Sequence, residues 1–503
     1  IRRQRQMCIR DRFTAKRINF DQQENMSLQL GSAQDQNAWS EGNQWTINSF
    51  FSRVNYTFAN KYVIEGTIRA DGSSRFDPDH RWGWFPGVNA AWRVGEEGFM
   101  KRLGWFEDLK VRASYGEMGN QSGIGLYDYI QLISLSNDYY PFGAGVKGQM
   151  ATSGNIISTS RTWETIQTTN VGFDFSTLNN RLYGSFDYFW KENKNMLIPK
   201  TYPSMLGADA PSTNSGHLSI HGWEISLGWR DQIKDFSYSV RFNISDAKNK
   251  VVDRVGSNLI QLGNNETPTG YPLNSYFGYE FDGIIQNEQE LEAYKSRFSE
   301  GGIPGDLSVG DAMYKDLDGD GKLSVLGDGK EGSGDVKYLG DKNPRYNFGF
   351  NLSMAWKGFD LSAFIQGVGR RTMFLEGESR CPMPEAWYQS AEYWYGKTWT
   401  PERTDAQYPA ITLKDKRNYN YYVSTNTKFN VAYARLKNLQ FGYTIPQTLT
   451  SKAGLQKVRV YFSGEDLFEV HNTPNGWDPE ENSGSITSYP FTRNYSFGIN
   501  VVF

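Results

Sequence analysis

Near its C-terminus the chain changes character residue by residue. Phe491, Tyr495, Phe497, Ile499, Val501 and Phe503 fall on every second position, interrupted by Arg493, with Thr492, Asn494, Ser496, Gly498, Asn500 and Val502 between them. Successive side chains of a strand point to opposite faces, so this segment is greasy on one side and mostly polar on the other. Such a strand suits a wall between lipid and water, and also the edge of a soluble sandwich. Repetition along the chain favours the wall. Phe236, Tyr238, Val240, Phe242 and Ile244 alternate with Ser237, Ser239, Arg241, Asn243 and Ser245. Phe348, Phe350, Leu352, Met354 and Trp356 alternate with Asn347, Gly349, Asn351, Ser353 and Ala355. Further copies run through 62–70, 109–115, 182–190, 223–229 and 458–462. A sandwich does not need so many aromatics at strand ends, whereas a transmembrane barrel places aromatic girdles at both bilayer interfaces.

Composition fits a barrel better than any other membrane protein. Aromatics reach 15%, yet mean hydropathy is -0.62, and no run of about 18 apolar residues offers a spanning helix. A barrel needs only half of each strand to be apolar, because its backbone groups pair around a closed ring. The expected fold is therefore all-β, an antiparallel transmembrane β-barrel lying in the cell outer membrane. A net charge of -3 with dispersed basic residues points away from nucleic acid. Cys8 and Cys381 are the only cysteines, too few for a disulfide framework and without metal-ligand spacing. Of the four histidines only His217 and His221 are close in sequence, and they read as a surface or lumen pair rather than a metal site.

Turn signals divide the chain into hairpins. Short connections fall at Ala59–Lys61, Leu178–Asn180, Asp231–Asp235 and Lys357–Gly358, with somewhat longer ones at Gly95–Glu107 and Ile445–Leu455. Long polar connections take the alternate places: Asp71–Gly83, Gly119–Thr162, Asn195–His217, Lys248–Pro344, Arg370–Asn430 and Asp466–Pro490. Short periplasmic turns alternating with long outer loops is the outer-membrane rule, and about thirteen spanning strands result. An odd number cannot close a barrel of the usual even kind, so this is expected to be an incomplete wall whose first strand, Phe50–Phe58, exposes an unpaired edge. The opening IRRQRQMCIRDR, residues 1–12, is a basic burst unlike anything downstream. It resembles translated sequencing-adapter read-through, which leaves 13–503 as the barrel part and places the true start upstream.

Several long stretches together resemble the SusC/RagA group of TonB-dependent outer-membrane transporters of Bacteroidota. They are FFSRVNYTFANKYVIEGTIRADGSSRF (50–76), GWFPGVNAAWRVGEEGFM (83–100), LKVRASYGEMGNQ (109–121), ENKNMLIPKTYPS (192–204), YKDLDGDGKLS (314–324), GDKNPRYNFGFNLSMAWKGFDLSAFIQGVG (340–369) and YARLKNLQFGYTIP (433–446). The resemblance implies a complete barrel of about 22 strands around a plug, of which this chain holds the C-terminal part. It also implies TonB-driven import of oligosaccharides or peptides with a SusD-like surface lipoprotein as lid, and no covalent chemistry. TonB would act through the plug and N-terminal segment. Tyr495, Phe497, Ile499, Val501 and Phe503 resemble the C-terminal signal read by the barrel assembly machinery. A passive porin, and an outer-membrane hydrolase, are the alternatives.

The most chemical motif is Asp316-Leu-Asp318-Gly-Asp320-Gly, the first half of a calcium loop, in which oxygens converge on a hard cation. Lys322 could add its carbonyl and Ser324 a hydroxyl, but position 12 is Gly327, with Asp328 one residue late. A structural calcium and an ion-free Asp/Gly turn both remain open; no other cofactor is expected. Gly327, Gly329 and Gly332 satisfy GxGxxG without a strand to feed them, and no nucleophile elbow or zincin pattern occurs. Aromatics in the outer loops could stack on sugar rings or peptide side chains, or could pack the loops or meet the lipoprotein. They are Tyr139, Tyr140 and Phe142; Trp387, Tyr388, Tyr393, Trp394, Tyr395 and Trp399; and Tyr419, Tyr421 and Tyr422. Alternation places Asp187, Arg241, Asn243 and Asn351 toward the lumen.

Overall fold

The computed structural model describes residues 2–16, 37–142, 146–154, 156–199, 205, 211–254, 263–264, 268–326, 334–384, 390–412, 416–481 and 491–503. Its frame is one antiparallel sheet of fourteen strands, each beside its neighbour in sequence. They are β1 (Arg2–Lys16), β2 (Asn37–Phe58), β3 (Tyr62–Ser73), β4 (Trp82–Arg93), β5 (Asp108–Asn120), β6 (Glu164–Thr177) and β7 (Leu182–Pro199). There follow β8 (Ser212–Ile233), β9 (Phe236–Asp253), β10 (Arg345–Trp356), β11 (Phe359–Arg370), β12 (Tyr433–Thr444), β13 (Lys457–His471) and β14 (Asn494–Val502).

All thirteen anticipated strands are present as β2 to β14, and β1 is an addition. The expected free edge stands over Ser52–Phe58, which pair on the β3 side alone; ahead of it β2 starts at Asn37, and Asn37 to Phe51 pair with Lys16 to Arg2. The tight turns rest on left-handed backbone. Lys357 (φ 46°) and Gly358 (φ 92°) form a two-residue hairpin loop whose twist matches that of its strands.

Register lines up residues of like character across the sheet. One row reads Leu227, Phe242, Phe350, Ile365, Leu436, Phe468. A row on the opposite face reads Arg241, Asn351, Phe364, Asn438, Glu465, Asn494. The apolar face is open: Val54 is 67% exposed, Tyr56 61% and Phe497 83%. Exposed apolar surface on this scale marks an interaction surface, here one that runs the width of the wall.

The buried apolar residues gather mainly in the loops. One cluster joins Met373, Leu375, Tyr393, Trp394, Tyr408, Tyr421 and Trp477. A second joins Tyr279, Ile285, Leu291, Tyr294, Leu307, Tyr314 and Tyr419, and includes the helix α2 (Glu288–Lys295). Phe76, Phe85, Ile124 and Trp163 form a third where β4 and β5 diverge.

Candidate functional site

The polar face of the wall is laced with charge pairs that satisfy one another. Glu65 takes Arg53 Nε at 2.8 Å and Asn55 Nδ2 at 3.1 Å. Arg69 binds Asp71 at 2.7 Å. Arg112 clamps Asp174 at 2.8 Å and Asp187 at 2.9 Å, and Lys110 also reaches Asp174. Arg459 donates to Asp360 at 2.9 Å. Each of these residues alternates with an apolar one on the other face, as a lumen wall requires. A cavity of about 1040 Å3 lies against this face, lined by Arg53, Thr67, Arg69, Asp71, Phe85 and Trp163 among others. Its mixture of donors, acceptors and four aromatics, with Phe51 and Tyr115 beside Phe85 and Trp163, suits a polar solute or a protein segment.

Above the wall, the two longest loops share one aromatic core. Tyr294 Oη lies 2.7 Å from Tyr419 Oη, donates to Tyr314 O at 3.1 Å and accepts from Tyr314 N at 2.9 Å. Tyr314 Oη donates to Tyr419 O at 2.8 Å. Burial pushes the Tyr314 and Tyr419 phenols well up, so both stay neutral donors. The candidate ligand aromatics separate into two groups here. Trp394 is 3% exposed and Tyr421 2%, packed edge-on against each other, so both are structural in this arrangement. Tyr393, Tyr419 and Tyr422 also pack inside. Tyr395 is 90% exposed, and Trp399 is half-buried with its Nε1 donating to Gln286. Trp387 and Tyr388 lie outside the described residues, as do the side chains of Tyr139, Tyr140 and Phe142.

The acidic loop closes differently from a standard calcium loop. Asp316, Asp318 and Asp335 bring carboxylate oxygens within 4.8 Å of one another. Asp320 does not join them; its carboxylate caps Lys322 N at 2.7 Å, as Asp316 caps Gly319 N and Gly321 N and Asp318 caps Asp320 N. Ser324 contributes its N–H to Asp335 at 2.8 Å, and Asp328 lies outside the described residues. Asp335 is fully buried, and burial raises its carboxyl, helped by Asp318 and Asp316. Among the described residues none of the three carboxylates has an ion-pair partner, so their oxygen-only set fits a hard cation.

Two residues that sequence reasoning passed over hold the loop after β13 against the polar face. Arg435, with no side-chain exposure, reaches Glu469 at 3.0 Å, Asp478 at 2.7 Å and Glu480 at 3.1 Å. Arg371 donates to Pro479 O and Glu481 O, each at 2.7 Å. Nothing local in the sequence marks them, since their partners lie far along the chain, Glu469 on β13 and the rest in the loop after it. His217, Ser219 and Glu192 also meet, but the carboxylate takes both His217 Nε2 (2.6 Å) and Ser219 Oγ (2.8 Å), so the imidazole does not serve the hydroxyl as a base would. On β14 the apolar side chains Tyr495, Phe497, Ile499, Val501 and Phe503 all lie open.

Residues 11–467 match the family model described as TonB dependent receptor-like, beta-barrel. The chain belongs to that family. TonB-dependent receptor P3 of Formosa agariphila is 32% identical over 490 residues, which is 92% of this chain and 46% of that protein. TonB-dependent receptor SusC of Bacteroides thetaiotaomicron is 27% identical over 505 residues, 93% of this chain and 45% of that one. The RagAB peptide transporter structure has the same fold, with a TM-score of 0.79 at 22% identity over 99% of this chain and 52% of that one. The chain thus spans about half the length of the relatives it matches. The SusC/RagA resemblance read from the seven stretches agrees with these relatives.

Proposed function

We propose that this chain is the C-terminal part of the wall of an outer-membrane importer that is energised through TonB and moves oligosaccharides or peptides. The carrying observation is the wall itself: an open apolar face, an opposite face of paired charges, and a packed loop module at one end. In that reading the apolar face meets lipid, the charged face bounds the lumen, and the loop module receives ligand together with a SusD-like lipoprotein. Tyr395 and Trp399 are its ligand-facing aromatics, and the β14 face is the assembly signal. The named relatives support the reading, and RagAB is itself described as a peptide transporter. Cells carrying the whole gene should accumulate labelled peptide or glycan only while the proton-motive force is intact. Uptake that persists under a protonophore would instead indicate a passive porin.

We also infer that a divalent cation, calcium by its oxygen donors, orders the loop around Asp316, Asp318 and Asp335. Asp335 carries this inference, as a buried carboxylate beside two others. No transport step depends on it.

A further inference from the structure

Residues 94–107 join β4 to β5 on the short-turn side of the wall, where the neighbouring hairpins turn in a few residues. This link instead carries the short helix α1 (Gly98–Leu103) and ends in Trp105 and Phe106. Three apolar side chains on it are open: Phe99 is 52% exposed, Leu103 50% and Trp105 67%. Phe99 and Leu103 are four residues apart and therefore share one side of the helix.

Both ends of the link are fastened to the apolar face of the wall. At its entry Glu97 accepts from Lys61 Nζ at 2.9 Å, Tyr62 Oη at 2.7 Å and Trp92 Nε1 at 3.3 Å. Tyr62 and Trp92 stack on each other, and alternation puts them on the same face as Ile64 and Val88. At its exit Phe106 packs edge-on against Phe175, which pairs through Leu109 into the same apolar face. Glu107 N donates to Ser176 O at 2.9 Å, and its carboxylate accepts from Asn179 N at 2.7 Å. The link is therefore held beneath the apolar face rather than under the charged one. Lys101, paired with Glu96 at 2.6 Å, and Arg102 add cationic groups beside the apolar ones.

We propose that residues 94–107 are an interfacial anchor that beds Phe99, Leu103 and Trp105 in the phospholipid headgroup region of the periplasmic leaflet. The proposal rests on the outer-membrane reading. Two arguments commit it to lipid. The link is fastened to the apolar band at both ends, through Glu97 and Phe106, and a short helix with open apolar side chains, cationic groups in its last turn and a tryptophan just beyond it is the composition that lies in a membrane surface.

The test uses the whole protein in phospholipid nanodiscs with single spin labels at Phe99→Cys and Leu103→Cys. Collision with oxygen, which concentrates in lipid, is compared with collision with a water-soluble nickel chelate. Labels at Leu227→Cys on the wall and Asp235→Cys in a short turn are the lipid and water references. The expected oxygen-to-nickel ratio at 99 and 103 is several-fold above that at 235 and below that at 227. A ratio equal to that at 235, with 227 still lipid-like, would overturn the anchor and leave the membrane reading intact. Loss of the lipid signature at 227 would overturn the membrane reading itself. Protection from both reagents at 99 and 103 would indicate a protein partner and also overturn the anchor.

Discussion

Replacing Arg435 with alanine should unfasten the loop after β13 without unfolding the wall. Its guanidinium is wholly buried, spans Glu469, Asp478 and Glu480, and lies 4.2 Å over the Phe491 ring. Lys437 joins the network at Asp466 (2.8 Å) and Glu480 (3.0 Å), and Arg493 joins at Glu469 (2.8 Å). Without Arg435, the carboxylates of Asp466, Glu469, Asp478 and Glu480 would face Lys437 and Arg493 alone. Removing one partner of a buried pair costs ~3–5 kcal/mol because the other charge is stranded. The Asp478 and Glu480 side chains retain 18% and 30% exposure, so water can relieve part of that loss. The lower end, about 3 kcal/mol, is the appropriate figure. At ~1.4 kcal/mol per decade, the loop should open about 100-fold more often. The amides of Trp477 and Glu481, which donate to Pro474 O and Asp478 O, report that opening by hydrogen exchange in the whole protein. Ile244, in the middle of β9, should be unaffected. Acceleration below about threefold would refute the reasoning and leave Arg371 as the fastener.

Gly358→Ala should cost ~1–2 kcal/mol, because φ is 92° there and the added Cβ would stand 2.8 Å from Thr444 O; a lower urea midpoint for the folded barrel on a gel-shift assay checks it. Asp335 gives a pH signature. Its folded carboxyl is raised by burial, so the folded loop holds the proton more tightly than the unfolded chain. Stability from this group is therefore full at low pH and lost as pH rises through the folded value, so in chelator the Leu317 and Ser324 amides should gain protection on acidification. With calcium the sign reverses, because acid expels the ion; identical profiles in both media would remove the metal. Glu97 runs the other way. Lys61, with Tyr62 and Trp92, holds it at about 2, below the usual carboxylate range. Attachment of the 94–107 link should accordingly persist through mild acid and fail as pH falls through about 2, read as the mobility of the label at Phe99→Cys.

The wall was legible because one physical pattern governs it for as long as one face must be apolar and the other polar. Phe236 to Ile244 and Phe348 to Trp356 pair face to face as their alternation implies. Legibility ends where that requirement ends. β2 and β8 are 22 residues long, against the roughly 9–11 that a bilayer needs, and their outer stretches Asn37–Ser49 and Ser212–Gly222 do not alternate cleanly. With water or a loop on each side, nothing selects apolar residues at every second position. The aromatics stayed open between ligand platform and loop packing for a related reason. Trp394 and Tyr421 look like ligand platforms in sequence, yet each fills the other's surroundings across a loop. Asp335 falls beyond the frame of about 12 residues in which a calcium loop is read, and only folding returns it to Asp316.

The two long loops should behave as one body, and this follows from where their core is drawn. Tyr279 N donates to Val423 O at 2.9 Å and Thr425 N to Tyr279 O at 3.1 Å, so a strand of one loop is bonded to the other. Asn420 Nδ2 reaches Asp311 at 2.8 Å, and Tyr294 and Tyr419 share their hydroxyls. Tyr294→Phe keeps the ring but strands Tyr314 N, Tyr314 O and Tyr419 Oη in a dry site, at ~1–3 kcal/mol for groups left unsatisfied. If the loops are one cooperative unit, that loss should speed hydrogen exchange at Ala312 N and at Tyr422 N alike, by about tenfold or more. Acceleration at Ala312 alone would mean that the loops open separately. A ligand or lid pressing on one would then leave the other in place.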